Sequence, residues 1–263
     1  MSKAKTVVLI AAVFLIAAYF AVLRLFVPGL LQRMTPVIKT AANQYVNGEV
    51  RIGTFDLSYD LNLRASQVEV FDKRGRSIAR IPEMNLTFSL LRGLFSANPV
   101  KAVDRVELVR PVLYLRMDEK ENWNVKNILK PTETEKSDFI GEVKIREGRS
   151  EIDTPYGSWI FGVDGTIGAE SNPDYALDLV LAYGGQALKV AGSVDAKAKG
   201  QLFLKTENFD INPFSGLASR YLGIDELKGA LRGLNLRWSG SGTDIALEGG
   251  GLLDGVGAKR RLF

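Results

Sequence analysis

A chain of 263 residues with neither cysteine nor histidine can form no disulfide, thiolate nucleophile, Cys-ligated zinc site or Ser-His-Asp constellation, and it lacks the commonest general base near neutral pH. Its formal net charge of +4 is too thinly spread for a nucleic-acid footprint and suits an anionic membrane surface. What remains to be read is a 46% hydrophobic fraction and its patterning.

The first element is Thr6 to Leu23, TVVLIAAVFLIAAYFAVL, eighteen residues without a charge. As a helix it reaches roughly 27 Å, close to the hydrocarbon thickness of a bilayer. Residues 1–28 therefore read as a cytoplasmic tail and a transmembrane anchor. Two readings compete. A secretory signal has a shorter apolar centre and a small-x-small cleavage site, which Ala11, Ala12, Ala17, Ala18 and Ala21 do not supply. A buried soluble helix rarely forms an uncharged run at a terminus. Lys3 and Lys5 before the run nearly balance Arg24, Arg33 and Lys39 after it, so the flanks leave orientation open. A long body behind a very short tail places that body outside the cytoplasm.

Residues 29–48 form the next expected element. Leu30, Leu31, Met34, Val37, Ile38, Ala41, Ala42, Tyr45 and Val46 recur every three to four positions. This predicts an amphipathic helix, bent near Pro36 and ended by Asn47-Gly48, that lies on the membrane or caps the following domain.

From Glu49 the period falls to 2. Ile52, Leu61 with Leu63, Val68 with Val70, Leu86 with Phe88, Val106 with Leu108, and Leu113 with Leu115 mark strands with one apolar face. Turns are expected at Asp72 to Gly75, Ala97 to Pro99 and Asp118 to Asn122, and short helices at Leu90 to Phe95 and Asn124 to Leu129. This first β module spans 49–130. Residues 131–138, PTETEKSD, are charged, without period, and read as a linker or loop.

Only five of the 26 glycines precede that linker, and alternation resumes beyond it, through 139–263. The strands are marked by Val143 and Ile145; Trp159, Phe161 and Val163; Leu177, Leu179 and Leu181; Leu188 and Val190; Leu202 and Leu204; Leu234, Leu236 and Trp238; and Ile245 and Leu247. Short strands about ten residues apart predict a mainly β, antiparallel meander that forms a sandwich, a barrel or an open curved sheet. Asn212 to Leu222 is the one expected helical insertion.

The carboxylates Asp56, Asp60, Asp118, Glu119, Glu121, Asp153, Asp174 and Asp178 are candidates for acid/base or cation chemistry. Without a ligand-spaced loop they read as turns and a solvated strand face. No GxxxxGK[ST] stretch occurs, and the sequon Asn85-Leu-Thr87 falls inside a strand. Gly229 and Gly233 are expected to permit strand curvature. No enzyme, metal or cofactor is expected. The apolar rows must be covered, either by the sheet closing on itself or by an apolar ligand in an open trough. Periodicity leaves both open, and with them which strand face lines a groove.

The segments GEVRIGTF, LRASQVEVFD, RIPEMNLTFSLLRGLFS and VDRVELVRPVLYLRMDEKENWNVKNILKP follow one another in order. Together they resemble the N-terminal module of the AsmA-like superfamily, in particular its translocation and assembly module (TamB) branch. Val106 to Leu129 is the most specific piece. The resemblance covers about residues 1–150 well and the rest through its repeating strands. It implies an inner-membrane anchor carrying a curved, taco-like β-groove across the periplasm of a diderm bacterium, in outer-membrane biogenesis. The implied cargo is phospholipid, with acyl chains on the inward rows listed above from Leu61 to Leu236, Leu177, Leu179 and Leu181 foremost. The alternative it implies is a scaffold for outer-membrane protein or autotransporter insertion and secretion, beside an assembly protein of the BamA/TamA type. A closed-sandwich accessory domain is a third reading. Members of that branch are usually far longer, and the glycine-rich, basic stretch Gly249 to Phe263 is expected to reflect truncation.

Overall fold

The structure is a computed structural model that describes residues 43, 46–57, 62–88, 103–126, 128, 141–171, 174–195, 199–223, 226–241 and 244–259. Five strands precede the long connection: β1 (Gly48–Leu57), β2 (Leu63–Asp72), β3 (Ser77–Phe88), β4 (Val103–Val109) and β5 (Val112–Arg116). Seven follow it: β6 (Glu142–Thr154), β7 (Gly157–Ser171), β8 (Asp174–Tyr183), β9 (Gln186–Val194), β10 (Gly200–Asp210), β11 (Glu226–Ser241) and β12 (Asp244–Lys259). Between β10 and β11 stand a 3-10 turn (Asn212–Phe214) and one helix, α1 (Ser215–Leu222). The expected insertion at 212–222 is therefore present.

Turn chemistry sets the hairpins. Asp72 Oδ1 accepts the backbone N–H groups of Arg74 and Arg76 at 2.8 and 2.9 Å, which closes the β2–β3 turn around Gly75 at φ 75°. Tyr183 opposes Gln186 across Gly184 and Gly185, both at positive φ, the two-residue connection that matches strand twist.

All twelve strands belong to one curved sheet, in the order β1-β2-β3-β4-β6-β7-β8-β9-β10-β11-β12, with β5 beside β3 and β6. The sheet is antiparallel except where β4 and β5 run parallel to β6. That departs from a pure meander. The connection from Met117 to Gly141 is long enough for the crossover a parallel neighbour requires. β4 and β5 are one path broken at Arg110-Pro111, where Arg110 has φ 53°. β6 breaks beside it at Glu147, φ 52°, and the pair is bridged by Arg110 N–H to Arg146 O and Arg149 N–H to Pro111 O, both 2.8 Å. Gln67 in β2 also has positive φ, 55°, and burial changes phase across it, with Leu63 and Ala65 buried before it and Val68 buried after it.

Where a helix is expected to begin at Asn124, residues 124–126 make a turn. Asn124 is held instead as a partner of β5, its Nδ2 donating to Tyr114 O at 2.7 Å and its backbone N–H to Arg116 O at 2.8 Å. The expected span Thr6 to Leu23, most of the 29–48 helix, Leu61, the 90–95 helix, the 97–99 turn and the 131–138 linker lie outside the described residues. Among the described residues no helix is long and apolar enough to cross a membrane.

The core is small. Val50, Ile52, Ala65 and Val68 form one buried cluster, with Val46, Phe55, Val70, Ile81 and Met84 against it. Trp159, Phe209, Ile211 and Ala218 are buried towards the other end of the sheet, near α1. Among the described residues no large side chain is completely buried. A single sheet without a second sheet on it leaves much of its apolar face only half covered.

Candidate ligand surface: the apolar face of the sheet

Strand alternation brings most apolar residues of β2 to β11 to one face, while Ile160, Val180 and Phe203 lie exposed among the charged residues of the other, and the register aligns the first set into rows that run across the strands. One row passes from Leu63 through Leu86, Val106, Val143, Ile167, Leu177, Gly192 and Leu202 to Trp238. The next passes from Ala65 through Met84, Leu108, Ile145, Gly165, Leu179, Val190 and Leu204 to Leu236. Neither contains a polar side chain. Val163, Leu181 and Leu188 begin a third on the α1 side.

The opposite face is the reverse in character. Arg80 pairs Glu69 at 2.8 Å, Arg105 pairs Glu142 at 3.0 Å, Arg146 pairs Glu107 at 3.3 Å and Lys189 pairs Asp178 at 3.3 Å. These pairs are exposed, so each adds little stability. Their effect is to keep that face wet and leave the aliphatic face as the one that can receive an apolar partner.

One end of the aliphatic face is closed. Phe214 lies on it, stacked on Trp159 at 5.3 Å and Phe209 at 5.7 Å, with Tyr183 at 5.6 Å and Phe161 at 6.3 Å between ring centroids. Trp159 Nε1 donates to Pro213 O at 2.9 Å, which fixes the turn that carries Phe214. α1 then crosses the β6–β7 turn so closely that a Cβ on Gly216 would meet Tyr156 O at 2.0 Å. Glu121 locks the arrangement from the β5 side, accepting from Tyr156 Oη at 2.8 Å and Arg220 Nε at 2.9 Å. The Tyr156 hydroxyl, then the Arg220 guanidinium, hold the Glu121 carboxyl below the usual carboxylate range, and the same bond raises Tyr156.

The expected groove residues divide accordingly. Val70, Leu86, Phe88, Leu115, Val163, Leu177, Leu179, Leu181, Leu188, Val190, Leu202, Leu204, Leu234 and Leu236 are half-buried, and Leu113 is 37% exposed. Leu63 and Val68 are buried at 2% and 4%, so they pack into the fold instead of lining an open surface. Trp159 is 4% exposed, and it and Phe161 have Phe214 as their neighbour. Phe209, Phe214 and Tyr183 were not marked by the sequence pattern. Their only signal was the loss of alternation at Asn212.

The candidate carboxylates have separate partners, although Asp118 and Asp153 line one cleft. Asp118 closes its turn through the N–H groups of Lys120 and Asn122, Asp153 accepts from Ser158 Oγ, and Asp178 pairs Lys189. Asp56 and Glu119 are exposed, and Asp60 lies outside the described residues. Among the described residues no group of carboxylates has the arrangement to hold a metal ion. No family model, characterised protein or solved structure matches this chain.

Proposed function

We propose that the chain is a non-enzymatic β-groove protein, anchored in the inner membrane with its body in the periplasm, that carries phospholipid acyl chains along its apolar face. The observation that carries this reading is the pair of unbroken aliphatic rows on a half-covered face, backed by a face of ion pairs. The AsmA-like resemblance of residues 1–150 agrees with it. The rows cross nine strands, β2 to β11 on the main path, and eight inter-strand steps at about 4.8 Å give a surface roughly 38 Å long. Contact with an acyl chain is favourable by about 25 cal/mol per Å² and nearly equal at successive strands, so a chain can slide. Headgroups stay off the rows, at the polar open edge.

Replacing Leu179 by Asp places a charge in the middle of one row. The expected outcome is a folded, membrane-associated protein that loses most of its co-purified phospholipid by mass spectrometry. Unchanged lipid content would overturn the reading.

A second reading, a scaffold that pairs a client strand during outer-membrane protein insertion or secretion, is favoured by the sheet's edges. Val50 N–H of edge strand β1 is covered by Asn43 Oδ1 at 2.8 Å, whereas among the described residues β12 pairs only with β11. An uncovered edge of that length is a template for an added strand. Crosslinks from β12 to an outer-membrane protein, with none from Leu179 to lipid, distinguish it.

A further inference from the structure

A cleft of about 700 Å³ opens at the foot of the sheet, where β3 and β5 part. β3 pairs with β5 only at Ala79 with Leu113 and Arg80 with Val112. Beyond that point Tyr114 to Arg116 are bonded instead by Asn124, and Trp123 bridges Met117. The cleft lies between this folded-back segment and the β2–β3 turn.

Its walls carry both signs of charge. Arg76 is neutralised by Asp72 at 2.8 Å. Lys73, Arg74 and Arg116 also line the cleft, and among the described residues none of them has a carboxylate partner. Two carboxylates face them with capacity to spare. Among the described residues, Asp118 accepts two backbone N–H groups through Oδ1 and the long Asn122 amide contacts at 3.4 and 3.5 Å, and the Asp153 carboxylate accepts Ser158 Oγ. The Asn122 and Lys120 bonds keep Asp118 ionised, its carboxyl held below the usual range chiefly by the Asn122 backbone N–H. The indole of Trp123 completes the wall.

A simple anion is repelled by two carboxylates here, and a simple cation by three basic groups. A ligand that carries both charges a few ångströms apart satisfies the set. Its phosphate takes charge-assisted bonds from Lys73, Arg74 and Arg116, and its ammonium meets Asp118, Asp153 and the face of Trp123. Met117, which continues the alternation of Leu113 and Leu115 on the apolar face, also lines this cleft. We propose that the cleft binds an aminoalkyl phosphodiester, the zwitterionic headgroup of a lipid whose acyl chains lie on that face. The identification of the source as a lipid rests on the carrier reading above.

The test is calorimetric titration of the full chain in detergent micelles with three soluble probes: glycerophosphoethanolamine, phosphoethanolamine and inorganic phosphate. The expected result is that the diester binds at least tenfold more tightly than inorganic phosphate. R74Q/R116Q and Asp153→Asn should each weaken it at least fivefold, and R74K/R116K should restore most of the affinity. Equal binding of inorganic phosphate, indifference to these substitutions, or no binding overturns the proposal. Preference for the monoester phosphoethanolamine overturns the lipid source and assigns a free metabolite. The Leu179→Asp protein separates the two readings, since failure to lose co-purified lipid sinks the carrier while leaving the probe titrations to decide the cleft.

Discussion

Gly192 stands in the row between Leu177 and Leu202 at φ 145°, and a Cβ there would lie 2.1 Å from the carbonyl oxygen of Gln201. The sheet bends so tightly at that point that only a residue without a side chain fits. Gly168, by contrast, has nothing within 4 Å of an added Cβ. Gly192→Ala is therefore expected to lower stability by at least about 2 kcal/mol, and Gly168→Ala to change it little, as read by thermal unfolding. The crowding of glycines after residue 140 set the second β region apart from the first in the sequence, and Gly229 and Gly233, expected to permit curvature, sit at the two register shifts between β11 and β12. Which glycine is irreplaceable was not legible, because the obstructing atom belongs to the backbone of the neighbouring strand.

The 3-10 turn and α1 act as one element through the ring of Phe214 and the Glu121 lock. Because the hydroxyl of Tyr156 and the guanidinium of Arg220 favour the ionised carboxylate, the folded-state pKa of Glu121 lies below its unfolded value. The lock is then complete above the ordinary glutamate pKa of about 4.3 and is lost as pH falls through the lower, folded value. Acidification below about pH 4.3 is expected to loosen α1 from the β6–β7 turn, seen as a change in the near-ultraviolet dichroism of the Tyr156–Tyr221 pair, 6.1 Å apart. Glu121→Gln should show that acid signal already at neutral pH and lose the transition. A break in alternation was enough to place a helix at 212–222. Its docking was not readable, since Phe214 meets Trp159 and Phe161 across more than fifty residues of chain. For the same reason the sequence pattern assigned Trp159 and Phe161 to an open lining, where an internal ring now rests.

At the scale of the whole molecule, period-2 alternation made a mainly antiparallel sheet legible, along with its apolar face. It did not reveal the parallel junction of β4 and β5 with β6, which depends on how the chain returns after Met117. Nor did it separate a closed sandwich from a single sheet; the pairing of all twelve strands in one sheet does so. The chain entering β1 is docked on that sheet, with Val46 against the core cluster, Asn47 N–H donating to Ile128 O at 2.6 Å and Asn43 bonded to Val50. The first strand thus begins 25 residues beyond Leu23, the end of the expected membrane span, and the apolar rows follow from β2. If the rows are fed from that membrane, distance matters; if the span only tethers, it does not. A flexible twelve-residue insertion between Leu23 and Asn43 leaves every described contact in place, so the unfolding temperature of the β body should be unchanged. The carrier reading then requires lipid transfer between membranes to fall several-fold, and undiminished transfer would reduce Thr6 to Leu23 to a tether.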